Sequence, residues 1–313
     1  MPRQIRIEYE GAIYHVMNRG NGGAIIFRDD NDRRKFLSTL GETCNKTGWQ
    51  IHAYCLMSNH FHLIIETPKP TLVVGMKWLL GTYTLRFNSR HQQKGHLFAG
   101  RYKSLLVDES DNHYLRIVCD YVHLNPARAH LIKEGELLQG YQWSSFNSYL
   151  SSPHKRPSWL RVDRLLGEHG ITEDNTLGRK DFAILMNQRI LQQADNEILY
   201  KIIRRGWKIG AKDFIERLHS KIENYVKKEN HFMHELHECQ ESIGRRLIAE
   251  QLQKLKLTPD VLEILPRTDP IKIEIARFIR SQTTLPLEWL ASELRAGSPR
   301  TLANSLCKDK KKK

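Results

Sequence analysis

The sequence predicts an α+β protein: a ferredoxin-like, split β-α-β domain over residues 1–150, followed by an all-helical extension. Three observations carry this. Segments with strand-like and helix-like patterning alternate in the order strand, helix, strand, strand, helix, strand, helix. A Ser-Asn pair at 58–59 joins the second and third strands as a hairpin. Beyond about residue 150 the composition changes and few strand signals remain.

The elements follow in turn. AIYHVMN (12–18) alternates like a strand, and RGNGG (19–23) is a loop. DDNDRRKFLSTLGETCNKTG (29–48) reads as a helix, with Asp residues at its start and Gly48 at its end. WQIHAYCLM (49–57) and HFHLIIE (60–66) are paired strands, the latter ended by Pro68 and Pro70. The 71–91 segment reads as a helix weakened by Gly75 and Gly81. After a link containing glycine, RYKSLLV (101–107) is a strand, and 110–125 is a helix capped by Ser110 or Asp111. Pro126 disfavours helical geometry at Asn125, so that helix should end there. An antiparallel sheet with helices on one face would leave its other face open for a site.

SSPHKRPS lies in an expected linker at 151–160, and 161–307 is the helical extension. No internal repeat is visible, and the lysine tail at 308–313 reads as disordered. The chain has 313 residues, enough for two domains, and 40% hydrophobic residues, enough for an ordinary core. Its formal net charge of +14 suggests a polyanionic partner, usually nucleic acid. The five cysteines, an odd number without C-x-x-C spacing, fit a reducing cytoplasm. The sequence shows neither a signal-peptide-like start nor a run of membrane-spanning length, so no membrane partner is expected.

The most informative stretch is NHFHLII (59–65). Strand side chains alternate between faces, so His60 and His62 share one face, and Phe61, Leu63 and Ile65 the other. The triplet alone fits either a paired imidazole site or two polar residues on a solvated face; a metal site needs a third ligand. Tyr121 and Asn125 lie one helical turn apart. An asparagine oxygen suits Mg²⁺ or Mn²⁺, and a phenol can act as a nucleophile. Equally, Tyr114, Ile117, Tyr121 and Leu124 follow a helical stripe, which would make Tyr121 a core residue.

YHVMNRGN, AYCLMSNHFHLIIETP, HLFAGRYKSLLV and DYVHLNPARAHL, in this order over roughly residues 1–150, resemble the single-tyrosine HUH transposases, in the branch of REP-associated tyrosine transposases. The resemblance implies an HUH domain in which His60, His62 and Asn125 hold one divalent metal, Mg²⁺ or Mn²⁺. Many relatives carry glutamine at the position of Asn125. It implies Tyr121 as the nucleophile, attacking single-stranded DNA beside a hairpin repeat to give a 5′-phosphotyrosine. It leaves monomer and homodimer open. Asn18, Arg19, Arg101, Tyr102 and Lys103 have the basic and aromatic mixture that binds single strands. The alternatives are a domesticated, non-catalytic regulator that binds repeat DNA and an HUH replication or conjugation nickase.

Other motifs carry less. GNGG (20–23) reads as a flexible loop, His123 as structural, and the histidines of HFMHELHEC (231–239) as a solvated helix rather than a second metal site. At 283–306, a helix ending near Arg295, an AGS turn and Pro299 at the start of a second helix have helix-turn-helix spacing. Longer members of the family carry a similar segment, which favours DNA contacts by Arg295 and Arg300 over a plain helical hairpin.

Overall fold

In a computed structural model, the described residues are 7–191 apart from 134, parts of 203–218, and 241–308 apart from 242 and 243. They fall into two compact units, divided between residues 219 and 220. The histidines of the 231–239 segment and the lysine tail beyond residue 308 lie outside the described residues.

The first unit is built on a sheet of order β2-β3-β1-β4-β5, with β1 Ala12–Arg19, β2 Gln50–Leu56, β3 His60–Thr67, β4 Lys103–Val107 and β5 Lys208–Ile209. Strand β1 runs antiparallel to both β3 and β4, and β3 antiparallel to β2. This is the split β-α-β arrangement. Helix α1 (Asp30–Thr47) starts where the Asp29 side chain accepts from the Asp32 N–H, and stops at Gly48, whose φ of 74° is left-handed. Helix α2 is Leu72–His91. Phe36 of α1 and Tyr83 of α2 meet edge to face at 5.1 Å, and Phe36 lies 4.9 Å from Phe61 of β3. These aromatic contacts bind both helices to the Phe61–Leu63–Ile65 face, as the alternation predicted.

The opposite face is not open. Helix α3 (Asn112–His123), capped by Asp111 through the His113 N–H, lies across β2 and β3. Its fully buried Leu115, Val118, Cys119 and Val122 recur at helical spacing, which explains the docking. The first unit is therefore layered, with helices on both faces of the sheet. The helix halts at Leu124, and Asn125–Arg128 form one further turn, α4, with Pro126 near its start.

The expected linker is integrated into this unit. Ile51 N–H donates to the Trp159 carbonyl at 2.9 Å, Arg161 N–H donates to the Ile51 carbonyl at 2.8 Å, and Ser145 N–H donates to Tyr54 at 2.9 Å. Residues 143–161 thus border β2. The apolar residues beyond 161 also belong to the core: Leu165 and Leu166 of α5 (Asp163–Glu168) and Phe182 and Met186 of α6 (Thr176–Leu191) are buried. Phe182 lies 5.3 Å from Tyr149, in a stacked arrangement. Nor is the extension all-helical, because Lys208 and Ile209 pair in parallel with Leu106 and Val107. Two residues are too short to register as a strand pattern.

The second unit is helical among its described residues. Pro270–Gln282, Leu287–Glu293 and Pro299–Lys308 form helices α7, α8 and α9. They share an aliphatic core that includes Ile279, Leu290, Leu294 and Leu302.

The two glycines of α2 have opposite roles. A Cβ on Gly75 would lie 2.1 Å from Trp49 Cζ2, whereas Gly81 has nothing within 4 Å. Gly75→Ala is expected to destabilise the protein by about 1–3 kcal/mol through overpacking. Gly81→Ala should stabilise it by up to about 1 kcal/mol through helix propensity. Chemical denaturation of both variants checks the pair; equal effects would contradict the packing.

Candidate active site

The β1–β3 register places Met17 beside His62 and Arg19 beside His60, and the β1–β4 register places Lys103 beside Met17. Alternation turns these side chains to the α3 side of the sheet. Together with Tyr121 and Asn125 they line a cavity of about 570 Å³, which Asn18, Asn59, Arg101 and Arg128 also border. Strand, helix and loop residues distant in sequence are thus brought into one basic hollow, without a carboxylate among its described lining residues.

The imidazoles are held in defined states. Asn59 Nδ2 donates to the Gly23 carbonyl at 3.4 Å, which leaves Asn59 Oδ1 to accept from His60 Nδ1 at 2.7 Å. A proton on Nδ1 leaves the lone pair on His60 Nε2. His62 Nδ1 shares a hydrogen bond of 2.9 Å with His15 Nε2, and the two rings stack at 5.1 Å. Burial, then the positive field of Arg19, lowers the His60 pKa. Burial, then His15, His60 and Arg128, holds His62 well below the usual imidazole range. Burial lowers His15 to about 3. All three rings are therefore neutral near pH 7, the form that binds a metal.

Tyr121 is 3% exposed, but its ring does not lie in an aliphatic core. It meets His15 edge-on at 5.7 Å and His62 at 5.9 Å. The Arg128 guanidinium lies over the ring at 4.4 Å. A cation there would favour a developing phenolate and an incoming phosphate alike. Asn125 is buried one turn further along, and its Nδ2 has no hydrogen-bond partner. Exchanging Oδ1 and Nδ2 leaves the amide's shape unchanged, so an oxygen can occupy that unsatisfied position. Two neutral imidazoles and one amide with an orphaned polar atom fit a hard or borderline divalent cation.

Most of the expected DNA-binding residues gather here: Asn18, Arg19, Arg101 and Lys103 line the cavity. Tyr102 does not, because it is buried and strand alternation turns it away from Arg101 and Lys103. His123 is structural: its Nε2 is 2.8 Å from Ser145 Oγ, and it packs on Tyr149. His15 and Arg128 were not singled out from the sequence. The alternating YHVMN places His15 on the His62 face only once β1 and β3 are known to be neighbours, and Arg128 lies within the NPARA run. In the second unit, Arg295 stands in the turn between α8 and α9 with φ of 50°, and Arg300 is exposed in the first turn of α9. Helices α8 and α9 are joined by residues 294–298, with the Ser298 hydroxyl accepting from the Thr301 N–H at the start of α9.

Residues 8–125 match the family model described as "Transposase IS200 like". A solved structure described as the REP-associated tyrosine transposase bound to a REP hairpin is similar at 13% identity, covering 51% of this chain and 91% of that chain with a TM-score of 0.40. No curated protein matches the chain. Among the described residues, no helix is long and apolar enough to cross a membrane.

The buried His15–His62 bond yields a test. His15→Phe should cost about 1–3 kcal/mol because it strands His62 Nδ1. Removing both partners in His15→Phe/His62→Phe should cost less than the sum of the single changes, a coupling that denaturant melts of the four proteins would reveal.

Proposed function

We propose that the chain is a metal-dependent transposase that cleaves and rejoins single-stranded DNA beside hairpin repeats through a 5′-phosphotyrosine on Tyr121. The carrying observation is the enclosure of Tyr121 by His15, His62 and Arg128 in a basic cavity that also holds His60 and Asn125.

In this reading, Arg19, Arg101 and Lys103 neutralise the phosphodiester and draw the strand into the hollow. His60, His62 and Asn125 would hold a divalent cation, Mg²⁺ or Mn²⁺, which would supply Lewis-acid polarisation of the phosphate. Asn59 and His15 orient the two imidazoles. The Tyr121 Oη attacks phosphorus, the bond from phosphorus to the 3′ oxygen breaks, and the phenolic proton ends on the departing 3′-hydroxyl. Arg128 stabilises the phenolate as it forms. The phosphotyrosine retains the phosphodiester's bond energy, so a second 3′-hydroxyl can reverse the step without ATP. Arg295 and Arg300 of the helix-turn-helix add DNA affinity that weakens with salt. The protein acts in the cytoplasm, as a monomer or homodimer.

The test is cleavage of a labelled single strand carrying the hairpin repeats that flank the coding region. Tyr121→Phe should bind this DNA normally yet form no covalent adduct, whereas Tyr114→Phe should retain adduct formation. His60→Ala or His62→Ala should abolish cleavage, as should EDTA, reversibly with Mg²⁺ or Mn²⁺. Asn59→Ala should weaken Mn²⁺ binding by about 10–100-fold in calorimetry. Full cleavage in EDTA would falsify the metal role. DNA binding by the unaltered chain without cleavage would support the non-catalytic regulator instead.

A further inference from the structure

A second hollow, also of about 570 Å³, adjoins the loop that borders the candidate active site. Residues 19–24 and 96–100 form a ribbon: Asn21 N–H donates to the Leu97 carbonyl at 2.9 Å, Ala99 N–H to Arg19 at 2.8 Å, and Gly20 is bridged to Phe98. Part of this ribbon, Arg19 and Ala99, lines the active-site cavity. Another part, Asn21 and His96, lines the second hollow together with Arg28, Asn88, Gln93 and Lys94. Gly20 makes the ribbon's tight bend possible, since a Cβ there would meet the Ala24 carbonyl oxygen at 1.9 Å.

The charges of this hollow are uncompensated. No carboxylate lines it among the described residues. Neighbouring Asp29 and Asp32 are both bound by Arg90, and Asp32 also by His91. Neither Arg28 nor Lys94 has an ion-pair partner among the described residues. The Arg28 guanidinium instead rests over the Phe87 ring at 5.5 Å, which restricts its motion and leaves its donors available. A guanidinium, an ammonium and side-chain amides in a concave, carboxylate-free surface match a phosphodiester backbone with base edges beside it.

We propose that this hollow is a second DNA subsite, which takes the backbone of nucleotides continuing from the strand held in the active-site cavity, with Arg28 and Lys94 as its phosphate contacts. This rests on the single-stranded DNA reading of the first cavity. The subsite would set how many nucleotides are held beyond the cleaved bond, while leaving the chemistry to the first cavity.

The experiment uses the full chain and fluorescent oligothymidylates from about four to about sixteen nucleotides long, spanning common single-strand site sizes. Affinity should rise with length for the unaltered protein. Arg28→Ala/Lys94→Ala should weaken the longest probe about tenfold, and its salt slope should fall by about 1.4, or 0.7 for each of two lost phosphate contacts. The shortest probes should be unaffected, and the cleavage rate at saturating enzyme unchanged. Lys94→Glu, on an exposed loop away from the Phe87 stack, should show the same length-dependent loss. Equal loss at every length, or no loss, would overturn the subsite alone if the unaltered chain binds. Failure of the unaltered chain to bind any length would overturn the DNA reading and the subsite with it.

Discussion

The site depends on one packing constraint: α3 must lie across β2 and β3. Leu115, Val118, Cys119 and Val122 seat the helix, and that seating fixes where Tyr121 falls relative to His15 and His62. A rotation of the helix by a single residue, roughly 100°, would carry the phenol away from the imidazoles. The aliphatic stripe and the tyrosine are thus parts of one device, in which hydrophobic burial supplies the positioning that the chemistry needs.

The residues beyond 161 reinforce this seating. Asp120, next to Tyr121, is bound by His169 at 2.9 Å and by Arg189 of α6. Leu165 and Leu166 pack beside α3, and Phe182 completes an aromatic cluster with Phe146 and Tyr149. At the sheet's far edge, Asp108 accepts from Arg217 at 2.8 Å and from the Ala211 N–H at 3.2 Å, tying β5 down. The first unit therefore extends well past the segment that resembles the family, and its later part supports the helix that carries the tyrosine.

The strands and helices of residues 12–123 were legible because each has a strong period and local punctuation, such as Asp29 and Gly48 around α1. The HFH alternation placed His60 and His62 on one face, and the four-residue spacing placed Asn125 one turn beyond Tyr121. What the sequence concealed were relations between distant segments. His15 acquires meaning only through the β1–β3 pairing, Arg128 only through the turn after Leu124, and the burial of Tyr102 through strand alternation. The boundary near 150 misled because Ser, Pro and Lys at 151–158 mimic a linker, while Trp159 and Arg161 form backbone bonds to β2. Polar composition records exposure of side chains, and says little about what the backbone beneath them is bonded to.

The central claim is that Tyr121, and no other side chain, forms the bond to DNA. Its most direct test is mass-spectrometric mapping of the peptide that retains a phosphodeoxynucleotide after the full chain is trapped on a single-stranded substrate and digested. The account predicts the modification on Tyr121, joined through the DNA 5′-phosphate, with a free 3′-hydroxyl on the released strand. A modification on Tyr114, Tyr102 or any serine, or cleavage with no retained nucleotide, would contradict it.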